Sequence, residues 1–203
     1  MVSPKALRRL AFGLFAVLLL SGCLTLESTV RLNDDGSGRL SLVYSVSEQL
    51  YDYGVFDEES THRVLPLSRR DFELSAISTE GVRLADYDSS RRDGIVTIEA
   101  DLEFETVEGL AGLLNVSPET LASGDGGSIL RLPLFSGFEG PVDTDMVEEF
   151  WNEVRFVHRV ALPDQIRSVN LGEISENGRE AVVDVRLIEL IEVGGPVVWE
   201  VAW

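Results

Sequence analysis

Apolar and polar residues alternate along two stretches near the start of the chain. Residues 24–32 and 40–46 place an apolar or small residue at every second position, with polar residues between them. This period of two is typical of β-strands that bury one face. The stretch between them, NDDGSG at 33–38, is rich in residues that favour turns. The pattern therefore predicts a β-hairpin.

The same kind of pattern predicts elements in the remaining chain. Capping residues followed by apolar residues at helical spacing predict helices at 47–53, 68–77, 106–114, 117–122 and 143–154. Apolar or alternating runs bounded by turn residues predict strands at 82–88, 95–104, 129–134, 155–162, 166–171, 181–190 and 197–203. The segment SSRRDG at 89–94 is predicted to be a turn. Hairpins mixed with short helices, without regular βαβ alternation, indicate an α+β fold on a mostly antiparallel sheet.

The first 22 residues have the three zones of a secretory signal peptide. Lys5, Arg8 and Arg9 give a basic start, residues 10–20 form an apolar run of 11 residues, and two small residues follow. A membrane-spanning helix needs about 18 or more apolar residues. Residues 1–22 are therefore predicted to be a cleaved signal peptide, and residues 23–203 a single exported globular domain.

The sequence Leu20-Ser21-Gly22-Cys23 resembles the lipobox of bacterial lipoproteins. This resemblance implies cleavage between Gly22 and Cys23, and a diacylglyceryl group on the Cys23 sulfur with acyl chains such as palmitate. The alternative is an ordinary cleaved signal with an incidental cysteine. Two or three acyl chains hold a protein on a membrane almost permanently. The expected location is the bacterial cell envelope. Leu24 replaces the Asp that marks inner-membrane retention, which favours the outer membrane.

The predicted hairpin follows Cys23 directly, without a tether rich in Ser, Gly or Asn. Each extended residue adds only about 3.3 Å of reach, so the folded domain is expected to lie very close to the bilayer. Because Cys23 is the only cysteine in the sequence, no disulfide within the chain stabilises the domain.

The charge of the chain narrows the range of partners. The sequence has 35 acidic and 17 basic residues, and its formal net charge is −18. The acidic residues are spread along the chain, which is typical of a solvated surface. Nucleic acid requires a basic face, and anionic lipid headgroups attract clusters of Lys and Arg. The composition therefore argues against nucleic acid and against anionic headgroups as partners.

Motifs for catalysis or metal binding are missing from the sequence. There is no HExxH, CxxC, G-x-S-x-G or phosphate-binding loop. Asn33, Asp35, Ser37 and Gly38 match the first ligand positions of an EF-hand loop, but Tyr44 stands where a bidentate Glu is required. This favours a turn. No cofactor, metal site or catalytic residue is predicted, although a Ca²⁺ or Mg²⁺ site made of carboxylates alone stays open.

The histidines and one row of carboxylates have structural explanations. His62 is predicted to be an exposed loop residue. His158 shares a strand face with apolar residues, which predicts a core or interface histidine bonded to the backbone. Alternation with apolar residues predicts a solvated strand face, and not acid–base catalysis, for Glu99, Asp101 and Glu103.

Trp199 and Trp203 fall on one face of the last predicted strand. Core packing is the first explanation for both. The alternative is that they line an apolar cleft for a ligand or contact the membrane interface, where Trp is favoured. The sequence leaves both interpretations open.

Several segments together resemble LppM-type bacterial envelope lipoproteins. They are a lipobox followed at once by a strand, DGSG at 35–38, FETVEGLAGLL at 104–114, Leu-Pro at 162–163, Val-Asn at 169–170 and a closing tryptophan strand. The resemblance covers most of residues 23–203 and implies a mixed α/β domain that binds lipid. Two features depart from the pattern: Asp164 stands where Gly is expected, and the negative charge disfavours anionic headgroups. The departures favour a neutral lipid or an apolar cavity.

The function expected from the sequence is a non-catalytic binding or assembly module of the cell envelope. Its membrane contact would be the covalent lipid on Cys23, and its partner an envelope protein or a lipid. An alternative is a carrier or sensor of an apolar, lipid-like ligand. A third and less favoured hypothesis is a hydrolase whose site is assembled from distant residues.

Overall fold

The computed structural model describes residues 25–52, 66–116, 128–136 and 154–203. Their elements in chain order are β1 (Thr25–Leu32), β2 (Gly38–Ser47), α1 (Glu48–Asp52), α2 (Arg69–Ile77), β3 (Val82–Arg92), β4 (Ile95–Phe104), α3 (Val107–Leu113), β5 (Ile129–Phe135), β6 (Arg155–Ala161), β7 (Ser168–Val169), β8 (Glu173–Ile174), β9 (Glu180–Arg186), α4 (Leu187–Val193) and β10 (Val197–Ala202). The predicted α+β class is confirmed.

The strands form a large sheet and a small one. The large sheet has seven strands in the order β3-β4-β2-β1-β6-β9-β8, and the small sheet has the order β5-β10-β7. Strand pairs in both sheets are antiparallel except for β1 and β6, which run parallel from Thr25 beside Arg155 onwards. The mostly antiparallel sheet is therefore confirmed, and the strand order is new information from the structure.

Strand β4 shows how the large sheet divides into two faces. Every second residue of β4 from Val96 to Phe104 is buried, and the residues between them are at least partly exposed. The alternation follows from the pleat, which points successive side chains to opposite sides. It confirms the predicted solvated strand face of Glu99, Asp101 and Glu103. Along β4, one face of the sheet is therefore apolar and the other is polar.

The apolar face of the large sheet packs into a single hydrophobic core. Phe72 of α2, Leu110 of α3 and Trp199 of β10 lie in this core and are each at most 1% exposed. Burying a large apolar side chain contributes roughly 1.5–3 kcal/mol. Helices α2 and α3 and the small sheet thus cover the inner face of the large sheet.

Two tyrosines hold the start of α2 against the sheet. Tyr44 of β2 donates its hydroxyl hydrogen to the carbonyl of Pro66, and Tyr87 of β3 donates to the carbonyl of Leu67 at 2.8 Å. Burial raises the pKa of Tyr44, because the ionised form is poorly solvated there. Ser68 and Asp71 then form a capping box. The helix predicted at 68–77 is confirmed, with Ser68 as its N-cap.

The β1–β2 turn is closed by its own polar residues. The carboxylate of Asp35 accepts hydrogen bonds from the backbone N–H of Ser37 at 3.0 Å and from its hydroxyl at 2.6 Å. These bonds lower the pKa of Asp35. Gly36 has a φ of +82°, which favours glycine. The prediction of a turn in this hairpin is confirmed.

The turn predicted at 89–94 is shorter in the structure. Residues 89–92 continue the strand, and only Asp93 and Gly94 turn, with φ values of +53° and +77°. Two successive residues with positive φ make the tight hairpin connection that matches strand twist, and Asp-Gly is well suited to it. The polar sequence of 89–92 is tolerated because those residues are exposed.

The prediction of a strand at 181–190 was wrong for its second half, which is helical in the structure. Strand β9 ends at Arg186, and Leu187–Val193 form helix α4. The Glu189 carboxylate accepts from the backbone N–H of Arg186 at 3.1 Å, and Gly194 ends the helix with a φ of +71°. These end signals outweigh the β propensity of the apolar run.

The strand predicted at 166–171 is also shorter in the structure. Only Ser168 and Val169 form β7, and β8 was not predicted. Helix α1 (Glu48–Asp52) and helix α3 (Val107–Leu113) confirm the existence of the helices predicted at 47–53 and 106–114, with shorter bounds.

Other predictions lie outside the described residues. These are the signal peptide at 1–22, Cys23, Leu24, His62, the helix at 117–122 and the helix at 143–154 except for its last residue, Val154, which is buried. Within the described ranges, no helix is long and apolar enough to cross a bilayer.

Candidate functional site

Four charged residues form a row across the polar face of the large sheet. In the strand register, Arg31 of β1 lies opposite Arg39 of β2, Arg39 lies opposite Glu103 of β4, and Glu103 lies opposite Arg83 of β3. We call these four residues the arginine row. Side chains directly opposite each other on antiparallel strands have Cβ atoms about 5 Å apart, so the row is contiguous.

The row has three guanidinium groups and one carboxylate, and the neighbouring Asp101 also pairs with Arg39. Arg39 Nη2 lies 2.5 Å from Glu103 Oε1, and Arg39 Nη1 lies 3.4 Å from Asp101 Oδ2. Arg83 also pairs with Glu103. The hydrogen bond to Glu103 raises the pKa of Arg39. By contrast, Arg31 forms no ion pair with any residue that the structure describes.

The arginine row lines a cleft with a volume of about 790 Å³. Val82 and Phe104 add apolar surface at the same place, and Glu105 adds a second carboxylate. This volume is within the range of about 300–1,000 Å³ that is common for small-molecule sites. The mixture of guanidinium groups with a limited apolar surface suits a small polar ligand.

The position of the row along β1 fixes its distance from the start of the domain. Arg31 is six residues after Thr25, the first residue of β1. At about 3.3 Å per residue, the row lies roughly 20 Å from that end of the strand. The cleft is therefore at the opposite end of β1 from Thr25.

A second polar feature lies on the apolar face. Ser28 of β1 is opposite His158 of β6 in the parallel register, and Ser28 Oγ lies 2.6 Å from His158 Nδ1. The predicted backbone hydrogen bond of His158 is wrong, because its partner is this hydroxyl group. Burial lowers the pKa of His158 to about 4, so the imidazole is neutral at pH 7.

The other ring nitrogen of His158 is buried without a hydrogen-bond partner among the described residues. Leu26, Leu42 and Phe156 are half-buried neighbours on this face of the sheet, and the Phe156 ring lies parallel to the imidazole with centroids 6.3 Å apart. A buried polar atom left unpaired is unfavourable by about 1–3 kcal/mol. The His158 Nε2 atom could therefore hydrogen-bond a polar atom of an apolar ligand.

The two tryptophans have different surroundings. Trp199 has no exposed surface, and its indole N–H donates to the carbonyl of Leu171 at 2.9 Å. Trp199 is therefore a core residue, as the first of the two explanations predicts. Trp203 is half-buried and lines a smaller hollow of about 560 Å³ together with Asp164 and Arg167. Contact of Trp203 with a ligand or membrane stays a prediction.

Carboxylates do not assemble into a metal site in the described ranges. No group of three or more His, Cys, Asp and Glu side chains is placed to hold a metal ion there. The turn residues Asn33 and Asp35 are engaged instead with Ser37, since the Asn33 amide donates to the Ser37 hydroxyl at 2.9 Å.

Sequence reasoning missed both features for the same reason. Alternation places Arg31, Arg39 and Glu103 on polar faces, and it places Ser28 and His158 on apolar ones, but it does not say which strands are neighbours. Ser28 and His158 are 130 positions apart and meet only through the parallel pair of β1 and β6. The local signal for the arginine row was limited to three arginines at the ends of predicted strands.

The lowered pKa of His158 predicts a pH-dependent stability. An unfolded histidine has a pKa near 6.5, so as pH falls the unfolded chain binds this proton before the folded chain does. Between pH 7.5 and 5.5 the free energy of unfolding should fall by about 1 kcal/mol from this residue. Urea unfolding at both pH values measures the change, and His158→Phe should show a smaller fall by that amount. Equal falls for wild type and variant would contradict the prediction.

Likeness to known proteins is limited to the fold. The sequence matches no model of a known protein family and no curated protein. Among solved structures, the chain is similar to the folded domain of the LppM protein of Mycobacterium tuberculosis, determined by NMR. The TM-score is 0.53, the match covers 89% of each chain, and the sequence identity is 14%. At this identity the likeness shows a common fold, and the lipobox part of the predicted resemblance lies outside the described residues.

Proposed function

We propose that this chain is a bacterial envelope lipoprotein whose domain is a non-catalytic binding or assembly module held at a membrane by lipid on Cys23. The observation that carries the proposal is the sequence Leu20–Cys23 at the end of an apolar run, with β1 beginning at Thr25. Two extended residues span about 7 Å. The anchor and the folded sheet would thus be nearly contiguous.

The fold likeness to the LppM domain supports this proposal without extending it to a ligand. A mixed sheet of this kind is compatible with many functions, because function depends on sites and not on the fold. The structure adds a cleft on the polar face of the sheet, which is the place where a binding module would hold its partner. The outer membrane is the proposed location, on the basis of Leu24.

The non-catalytic part of the proposal is supported by the environment of the one serine–histidine pair. Ser28 is 9% exposed, and His158 is held by Ser28 alone within the described residues. A serine nucleophile needs access to substrate, a base oriented by a third group and donors for the developing oxyanion. Within the part of the chain that the structure describes, the pair has the base without an orienting group, which favours a structural role.

Replacing Cys23 tests the lipoprotein proposal. The chain should be expressed with its own signal in a bacterial host, and intact mass and membrane fractionation should be compared for wild type and Cys23→Ala. Wild type should gain the mass of acyl chains and sediment with membranes, whereas Cys23→Ala should do neither, since it lacks the sulfur that is acylated.

A matched control is available within the same motif. Ser21→Ala keeps the lipobox pattern, which accepts Ala or Ser there, and should behave as wild type. If wild type and Cys23→Ala have the same unacylated mass and remain soluble, the proposal is wrong and the cysteine is incidental.

A second candidate function is a carrier or sensor of an apolar, lipid-like ligand. It is favoured by the unpaired His158 Nε2 beside half-buried Leu26, Leu42 and Phe156. A ligand with one polar atom could satisfy that nitrogen while its apolar part contacts these side chains. The negative charge of the chain favours a neutral ligand.

Native mass spectrometry tests the second candidate. The purified chain should carry a non-covalent lipid adduct, and delipidated chain should regain it on reloading. Leu42→Trp should reduce the adduct several-fold by filling the inner face. The matched control is Val43→Trp, since Val43 follows Leu42 on the opposite, outer face and is 37% exposed. Absence of any adduct, or equal loss in both variants, would count against a ligand at this place.

A further inference from the structure

We propose that the arginine row binds a small soluble anion bearing a phosphate or carboxylate group, with Arg31 as its principal contact. The proposal deepens the proposed binding function by giving the cleft a ligand chemistry. Only the statement that the ligand is soluble, and not a lipid of the same membrane, rests on the anchor at Cys23.

Two arginines of the row are placed next to each other on neighbouring strands. Arg31 and Arg39 are directly opposite each other on paired strands, an arrangement that destabilises a sheet. The sequence has 35 acidic and 17 basic residues, so carboxylate partners are plentiful. Arg39 is compensated by Glu103 and Asp101, so Arg31 is the member of the pair whose charge is left for an added anion.

The other arginines in the middle of the sheet, unlike Arg31, form ion pairs. Arg155 of β6 pairs with Asp184 at 2.5 Å, Arg159 of β6 pairs with Glu27 at 2.8 Å, and Arg39 pairs with Glu103. Among the described arginines of β1, β2 and β6, only Arg31 has no carboxylate partner. The Arg31 side chain lines the cleft, so an anion bound there would be in reach of it.

The three arginines of the row have N–H donors that are left over for a ligand. A guanidinium group has five N–H donors in a planar fork that matches carboxylate and phosphate oxygens. Arg39 and Arg83 use donors on Glu103 and Asp101, and each keeps others. The Arg31 guanidinium donates to no described residue, so all of its N–H groups can face an anion held between it and Arg39.

The location of the cleft selects the source of the anion. The arginine row lies roughly 20 Å along β1 from the end of the strand that follows Cys23. With the anchor at that end and β1 directed away from the bilayer, the row would lie beyond the reach of the headgroups. Salt screens charges over about 8 Å at physiological ionic strength, so the acidic remainder of the surface does not prevent a small anion from reaching the row.

The test is an NMR titration of the full chain held in phosphatidylcholine nanodiscs. Inorganic phosphate and succinate are added at constant ionic strength, and the Nε–Hε resonances of the arginines are followed. Saturable shifts are expected for Arg31 and Arg39. Arg31→Gln should weaken binding about fivefold to tenfold, since it removes a charge-assisted donor fork.

The matched control is Arg92→Gln. Arg92 is an exposed arginine at the opposite end of β3, outside the cleft, so the change removes the same charge without touching the row. It should leave the affinity unchanged. Shifts that do not saturate, or equal weakening by Arg31→Gln and Arg92→Gln, would overturn the proposal by showing a general charge effect.

Two further measurements are needed. One distinguishes a soluble anion from a lipid headgroup, and the other distinguishes failure of the anion site from failure of the anchor at Cys23. Nanodiscs that contain phosphatidylglycerol should give the same phosphate affinity, and a reduced affinity there would show that headgroups occupy the row and overturn the soluble source. The unlipidated Cys23→Ala chain should bind phosphate in solution as well as the nanodisc-bound chain does. Loss of anion binding in both forms would reject the row as a site, whereas failure of acylation rejects only the anchor.

Discussion

Strand β1 is hydrogen-bonded along both of its edges, and most of this structure depends on that arrangement. Its antiparallel partner β2 follows it directly in sequence, whereas its parallel partner β6 comes from the far part of the chain. Because β1 is interior to the sheet, its side chains are divided strictly between the two faces. Val30 and Leu32 enter the core, while Glu27 and Arg31 lie on the polar face. Pairing on both edges fixes the strand from its first residues, Thr25 and Leu26, onward.

The division into two faces also separates the two candidate binding places. The polar face presents charge in register, which suits a small anion at the arginine row. The apolar face contains Ser28 and His158, whose burial keeps the imidazole neutral and leaves one nitrogen unpaired among the described residues. The two features share strand β1 but lie on opposite faces of the sheet, Arg31 on the polar face and Ser28 with His158 on the apolar face. A ligand at one would not compete directly with a ligand at the other.

Local patterns were enough to predict much of the fold. Alternation gave the β1–β2 hairpin and β4, and the Ser68–Asp71 capping box gave α2. Prediction failed where a second local signal competed, as at Leu187, where helix-end residues outweigh an apolar run that favours a strand. It also failed for the candidate site, because Arg31 beside Arg39 and Ser28 beside His158 depend on register between strands. Register across a parallel pair is a property of the whole packed core, and no short stretch of sequence encodes it.

Lipid on Cys23 is proposed to hold the domain on the bilayer, with β1 beginning two residues later and the arginine row at the far end of that strand. Neutron reflectometry of the lipidated chain on a supported phosphatidylcholine bilayer measures this directly. A compact chain of this size has a radius of gyration of about 16 Å, so the account predicts a protein layer roughly 40 Å thick that begins at the headgroups. A water layer tens of ångströms thick between headgroups and protein would contradict it, because it would mean that the strand does not follow the anchor.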